Sequence, residues 1–531
     1  MRQLSARLLV PAGLVAAAIV LLSSAGAEVP AERREAAAAV PAAETSAAAP
    51  PAAEARRRPH AVLLVLDELP GDSLLDRSGR IDAGRYPNFA ALASDSTWFR
   101  NAYSTYDSTT KAVPLILDGM RPVADSEPER SWHPRSIFTA LGARGYRIVA
   151  AEEATALCPP RLCRGAHVNR PAIMPRLRHG RPERFGQFVR SIRPSRRPTL
   201  WMKHALLPHG PYQYLPSGAK TRAGATDLIP EMNSEFAFHD AFLTRHNEQR
   251  YLLQLGFVDR LLGRLIRRLK AQGVYDDTLI LVTADHGYAW QVGVTTRRSV
   301  SRSNVHELTP VPFFVKAPGQ RTGRVSRAYA QTLDVTPTIA DVLGVRLGYR
   351  TQGHSAFSRA VRRRRGVAVT TRAFTGIVRI SGKRWEARRR AVVRRRLRQL
   401  GSGDWASLYT GIGPDRELVG RRVAGLARAA AKGPRASIAK AASYDHVRRP
   451  GGIVPAQVAG SLDGAGTPGQ GRAIAVAVNG RIEGVGRTFQ LIGRPGEHFA
   501  VNVPEAALAN GHNVVEVFEI TRGGLRELAR A

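Results

Sequence analysis

The 531-residue chain is too long for one compact domain and predicts roughly two to four of about 150 residues each. Its 44% hydrophobic and 23% charged residues exclude wholesale disorder, and its two cysteines exclude a disulfide scaffold or a multi-cysteine metal cluster. Lysine and arginine number 79 against 43 acidic residues, a net charge of +36 that favours anionic surroundings such as phosphate-rich lipid, acidic glycan or nucleic acid.

The excess is arginine in Ala/Arg/Gly-rich sequence, as a GC-rich genome also produces. No zinc-finger, RNA-recognition or helix-turn-helix signature accompanies it, so nucleic acid is not an expected partner. Residues 1–27 carry Arg2 and Arg7, an apolar run over 8–22 and the small-residue exit Ala25-Gly26-Ala27, the pattern of a signal peptide. The competing reading is an uncleaved anchor, for which the run is short against the ~20 apolar residues of a membrane span. An exported, extracytoplasmic protein is expected, secreted or tethered by this segment. Residues 28–58, almost entirely Ala, Pro, Glu and Arg, read as a disordered linker.

From 59 to 350 strands alternate with helices. Residues 61–66 (AVLLVL) form a continuous apolar run, as in a strand buried on both faces of a parallel sheet, and stop at Asp67-Glu68. Residues 278–283 (TLILVT) do the same and stop at Asp285-His286-Gly287. Shorter strands are expected at 146–150, 199–202 and 312–315, a long amphipathic helix at about 245–271, and another helix near 335–343. This alternation predicts an α/β doubly wound sheet whose functional residues gather at the carboxyl ends of strands. Asp67, Glu68, Asp285 and His286 sit at such ends. They form an oxygen-rich set with one imidazole, suited to one divalent ion: Zn, Mn, Mg or Ca.

The chain here resembles the sulfatase-like branch of the alkaline phosphatase superfamily, which also holds lipoteichoic-acid synthases and phosphoethanolamine transferases. The resemblance runs over about 60–350. It is carried by LLVLDEL around Asp67, YPNFAALASDSTWFRNAY over 86–103, HALLPHGPY over 204–212, GVYDDTLILVTADHG over 273–287, VPFFVKAPG over 311–319 and LDVTPTIADVLG over 333–344. It implies a nucleophile five residues before a proline and ten before a glycine. Counting back from Pro114 and from Gly119 gives Thr109 both times, with Thr110 and Ser108 as competing hydroxyls. A threonine opening a helix has its oxygen beside free N–H groups, which suits a tetrahedral anion; the same position also suits a plain N-cap.

The resemblance further implies Thr109 as a metal ligand beside Asp67, Asp285 and His286, with Glu68 either a further ligand or a neighbour of one. His204 and His209 match the family's paired histidines: His209 is expected at the phosphoryl oxygens or leaving group, and His204 there or merely orienting a neighbour. Lys111, Asn304 and His306 are further candidates for substrate binding, while Arg297 and Arg298 read as solvated. No cysteine fits the C/S-x-P-x-R frame that becomes formylglycine in classical sulfatases; Cys158-Pro159-Pro160-Arg161 places its arginine one position early. Threonine therefore points to phosphoryl transfer.

Cys158 and Cys163 are expected to be bridged, given an oxidising compartment. Residues 351–451 read as an Arg-rich connector, either solvated or lying on an anionic membrane surface or cell-wall polymer. Residues 452–531 show alternating segments and a hairpin signal at Asn479-Gly480, predicting a small all-β, sandwich-like domain. It either binds glycan or caps the catalytic domain, and its removal is expected to leave the strand-end cluster assembled. The expected function is a metal-dependent hydrolase or transferase acting on phosphoesters, or sulfate esters, of envelope lipids or polymers. The alternatives are a sulfuric ester hydrolase lacking formylglycine and a non-catalytic cationic envelope-binding protein.

Overall fold

The computed structural model describes residues 58–163, 173–224, 227–229, 238–293, 298–429, 433–449, 452–463, 471–491 and 494–531. The signal or anchor expected at 1–27, and all of the linker at 28–58 except Arg58, lie outside the described residues. None of the described helices is long and apolar enough to cross a membrane.

The apolar runs make a seven-stranded central sheet. Its strands are β1 (His60–Asp67), β2 (Thr97–Phe99), β3 (Arg147–Ala151), β4 (Thr199–Pro208), β5 (Thr278–Ala284), β6 (Phe313–Lys316) and β7 (Arg324–Ser326), in the order β3-β4-β1-β5-β6-β2-β7. β1 lies at the centre, parallel to β4 and β5, with Val65 opposite His204 and Leu66 opposite Ala284. That register brings the carboxyl ends of three strands to one edge. The sheet is mixed rather than wholly parallel, because β6 runs antiparallel to both β5 and β2. After β5 the described chain forms only a one-turn helix before β6, so it re-enters the sheet from the edge it left instead of crossing back.

Eleven described helices accompany the sheet: α1 (Pro87–Ser94), α2 (Thr109–Asp118), α3 (Ile137–Gly142), α4 (Ile173–Arg178), α5 (Arg181–Ser191), α6 (Ala241–Ala271), α7 (Val305–Leu308), α8 (Val335–Val342), α9 (Arg359–Arg363), α10 (Gly382–Leu400) and α11 (Ala406–Tyr409). α6 starts where Asp240 Oδ1 accepts from the N–H groups of Phe242 and Leu243 (2.7 and 3.0 Å). Its amphipathic pattern predicts a solvated polar face, yet Arg245, His246, Glu248, Gln249, Arg250 and Gln254 are all buried.

The cover over α6 comes from the C-terminal region. Strands β8 (Gly366–Thr370) and β9 (Ile377–Ser381) form a hairpin. Beyond it, β10 (Ala436–Ile438), β11 (Gln457–Leu462), β12 (Ala473–Val478), β13 (Arg481–Arg487), β14 (Phe489–Leu491), β15 (Arg494–Asn502), β16 (Val515–Thr521) and β17 (Gly524–Arg530) make two four-stranded antiparallel sheets, β10-β11-β15-β14 and β13-β12-β16-β17. Many of their apolar residues belong to the same core as the central sheet, while Ala475, Ala477, Ile482, Val485, Phe518 and Leu525 form a smaller cluster of their own. Asn502 Nδ2 donates to Gln249 Oε1 (2.6 Å), Gln249 Nε2 donates to Leu408 O (2.8 Å), and the Phe489 ring packs on Phe242. The β region therefore satisfies part of the polar face of α6, through Asn502 and Gln457, so the expected separability of 452–531 does not follow from its β pattern.

The Arg-rich region is also packed. Trp385 of α10 is fully buried against Tyr103 and Tyr329. Arg389 makes a bidentate pair with Asp72 (2.9 and 2.6 Å), and Arg396 donates to the carbonyls of Asp72 and Leu75 (2.6 and 2.9 Å). Arg362, Arg363, Arg390 and Arg394 are exposed. Part of the basic run is thus a structural layer rather than a connector.

Candidate active site

The edge formed by the ends of β1, β4 and β5 gathers the acidic residues. Asp285 N donates to Leu66 O (3.0 Å), which locks the ends of β1 and β5 together. Asp285 Oδ1 accepts from the N–H groups of Glu68 (3.1 Å) and His286 (2.6 Å), whereas its buried Oδ2 has no hydrogen-bond partner and lies 3.5 Å from His286 Nε2. His286 Nδ1 is 2.9 Å from the Gly287 carbonyl, which only accepts. The proton therefore sits on Nδ1, and the lone pair of Nε2 faces the cluster.

Thr109 completes the constellation. As the first residue of α2 it stands at the helix's positive end, among first-turn N–H groups. Its Oγ1 is 3.4 Å from Asp67 Oδ1 and 3.3 Å from His286 Nε2. Asp67, Asp285 and His286 each bring one ligand atom within 4.8 Å of the others, and all three are buried.

Charge tests whether a cation fits. Asp67, Glu68 and Asp285 are each 1% exposed or less. Burial, then the charges of Asp285 and Glu68, hold the Asp67 carboxyl well above the usual carboxylate range, and Arg298 only partly opposes them. Three buried carboxylates, an orphaned Oδ2 and an imidazole lone pair form a donor set that a divalent ion satisfies.

The remaining candidates divide. Glu68, in the left-handed region at φ 59°, turns its Oε1 to Arg298 Nε (2.5 Å) and to His209 Nε2 (3.6 Å), so it stands in an ion pair beside the cluster of Asp67, Asp285 and His286. His209 donates from Nδ1 to Gly210 O (2.6 Å), and its Nε2 accepts from Arg298 Nη2 (2.5 Å). His204 is fully buried with neither ring nitrogen hydrogen-bonded among the described residues. Burial holds it down to about 4, so it is neutral and lies near, not in, the cluster.

Lys111 is placed elsewhere than expected: Nζ donates to the carbonyls of Val123 (2.9 Å), Ala124 (2.7 Å) and Ser126, so the ammonium closes the loop after α2. Asn304 is spent on its own loop, accepting from Ser301 N (2.7 Å) and donating to Ser299 O (2.8 Å). His306 lies toward Arg388 and Arg395 and is lowered to about 4 by burial and then by those guanidiniums. These three positions therefore give no contact to the cluster. Cys158 and Cys163 form a disulfide with Cα atoms 6.1 Å apart, and Cys158 N donates to Glu152 Oε1 (2.8 Å).

Arg298 is the site residue that sequence reasoning missed. It reads as one of a solvated pair, and its neighbour Arg297 lies outside the described residues. The available signal was electrostatic: a basic loop between β5 and β6 returns to an edge already crowded with carboxylates. Asp107 was also missed. Buried two residues before Thr109, it accepts from Val300 N through Oδ2 (2.7 Å) and so ties the Arg298 loop to the start of α2.

Comparison with known proteins places the chain in a family. Human (Homo sapiens) N-sulphoglucosamine sulphohydrolase is 36% identical over 90 residues, 16% of this chain and 16% of that protein. The lipoteichoic acid synthase of Staphylococcus saprophyticus is 27% identical over 103 residues, 18% of this chain and 15% of the synthase. The chain thus matches about a sixth of the length of these relatives. Among solved structures, the phosphonate monoester hydrolase of Agrobacterium radiobacter aligns with a TM-score of 0.41 at 18% identity, over 59% of this chain and 80% of that one. The Sulfatase family model matches residues 59–345, more than half of the sequence and the whole of the strand-end cluster, and the chain belongs to the sulfatase family.

Proposed function

We propose that this protein is an exported, metal-dependent hydrolase or transferase that cleaves a phosphoester of an envelope lipid or polymer through Thr109. The observation that carries this reading is Thr109 Oγ1 at a helix start, 3.4 Å from Asp67 Oδ1 and 3.3 Å from His286 Nε2. Asp67, Asp285 and His286 would hold a divalent ion, which would supply charge neutralisation and acidify a neighbouring hydroxyl. Thr109 donates its hydroxyl proton toward Asp67 Oδ1, and its oxygen attacks phosphorus while the bond to the leaving alcohol breaks. An anionic ester draws the Arg298 guanidinium onto its own oxygens. His209 Nε2, thereby released, takes a proton from solvent and passes it to the leaving oxygen. Water or an acceptor alcohol then attacks the phosphothreonine and restores Thr109.

The preference for phosphorus rests on the nucleophile. A formylglycine hydrate expels sulfate by elimination across its second hydroxyl, an exit closed to a threonine ester. Cys158, the near fit to the formylglycine frame, is bridged to Cys163. The likeness to a lipoteichoic acid synthase supports an envelope polymer as substrate, and the 1–27 pattern supports export. The likeness to a sulphohydrolase favours a second reading, hydrolysis of sulfate esters by the same residues. A screen of phosphate monoesters, diesters and sulfate esters, with Zn, Mn, Mg and Ca varied, separates the two. Turnover of phosphate esters alone supports the first, and turnover of sulfate esters alone replaces it.

A further inference from the structure

The family match ends at residue 345, yet the chain beyond it returns to the reaction centre. The β8–β9 hairpin pairs from Gly366 opposite Ser381 to Thr370 opposite Ile377, and Thr370 N donates to Thr105 O (3.1 Å). This lays its turn beside the segment that leads into α2. Tyr106 OH donates to Arg372 O (2.7 Å), and the Phe374 ring packs on the Tyr106 ring at 5.1 Å, with Lys111 Nζ 5.9 Å from the Phe374 ring. Tyr106 is three residues from Thr109, hence within about 11 Å of it.

The turn is specified rather than slack. Phe374 holds φ at 56°, a left-handed conformation that is costly for a bulky side chain and persists only where its surroundings impose it. Thr371 imposes it: its N donates to Gly376 O (2.9 Å), and its Oγ1 accepts from Gly376 N (3.1 Å). Arg372, between Thr371 and Phe374, is exposed and makes no ion pair with a described carboxylate. Its charge reaches Asp107, the buried acid that ties the Arg298 loop to α2. An aromatic ring and the backbone of an exposed arginine are thus held beside the segment leading into α2 by a hairpin that lies outside the family match.

We infer that this turn is a substrate-recognition element. Phe374 packs on the non-reacting body of the substrate, and Arg372 binds a second anionic group remote from the reacting ester. The ligand class is an ester that carries a further phosphate, sulfate or carboxylate. The inference rests on Thr109 as the reacting end.

Calorimetric titration of the full metal-loaded chain with fructose 6-phosphate and fructose 1,6-bisphosphate tests it, since the two differ by one phosphate. The bisphosphate is expected to bind about tenfold tighter, the gain typical of one charge-assisted contact. Arg372→Ala should abolish that preference while leaving the monophosphate affinity unchanged, and Arg372→Lys should restore part of it. Equal affinities in the unmodified protein, or a preference retained in Arg372→Ala, overturn the inference. The same titration with glycerol-phosphate oligomers and with phosphatidylglycerol vesicles identifies the source of the second charge as the one whose binding Arg372→Ala weakens; weakening of neither overturns the proposal. Heat of binding does not depend on turnover, so Thr109→Ala should keep the bisphosphate preference. Turnover persisting in Thr109→Ala counts against the nucleophile alone.

Discussion

Arg389→Ala tests the claim that the basic region beyond residue 350 is structural. The guanidinium holds both oxygens of Asp72, accepted at 2.9 and 2.6 Å, and also reaches Asn101 Oδ1 and Arg100 O, each at 3.2 Å. Its carbon lies 4.2 Å from the Trp385 ring centre, and Asp72 is only 6% exposed. Removing one partner of a buried pair leaves the other charged and dehydrated, at a cost of about 3–5 kcal/mol. At roughly 2–4 °C per kcal/mol for a large folded unit, the melting temperature should fall by roughly 6–20 °C in a fluorescence-monitored melt. The double variant Asp72→Leu/Arg389→Met should recover most of the loss, because it removes the charge and the guanidinium together. A single variant that melts within about a degree of the parent refutes the reasoning and returns α10 to a solvated basic face.

Three further outcomes follow from the same geometry. Arg298→Ala should raise KM for an anionic ester and lower kcat about tenfold or more, with Arg298→Lys restoring part of the loss, as steady-state kinetics will read. His204 is held down to about 4, below its unfolded value near 6.5, so the unfolded state alone binds its proton between those values. Stability should therefore fall as pH drops from about 6.5 to 4, by about 3 kcal/mol from this residue, and His204→Leu should flatten that part of a urea-denaturation profile. Ending the chain at 451 strips Phe489, Gln457 and Asn502 from α6; circular dichroism should then show no cooperative transition like that of the full chain.

The sequence made some of this legible because certain signals are local. Asp67 and Asp285 stand where apolar runs stop, and a strand buried on both faces has few other ways to end. Thr109 was singled out only through the resemblance, which counts it from Pro114 and Gly119, and it is the first residue of α2. What escaped depends on partners far along the chain. The polar stripe of α6 looks solvated until Asn502 and Leu408 cover it, and Arg389 looks solvated until Asp72 arrives from more than 300 residues away. Lys111 sits two residues from Thr109 in sequence, yet the carbonyls of Val123 and Ala124 offered a nearer set of acceptors. Arg298 differs from its neighbours only in where its loop returns. Periodicity cannot report that.

The central claim is that Thr109 is the covalent nucleophile, and single-residue replacement coupled to mass mapping of the Thr109 peptide tests it most directly. The parent protein quenched during turnover of a phosphate ester should carry phosphate on Thr109. Thr109→Ala should lose activity by several orders of magnitude while folding normally, and Ser108→Ala and Thr110→Ala should stay within about tenfold of the parent. Near-normal turnover in Thr109→Ala, or phosphate found on Thr110 instead, would contradict the account.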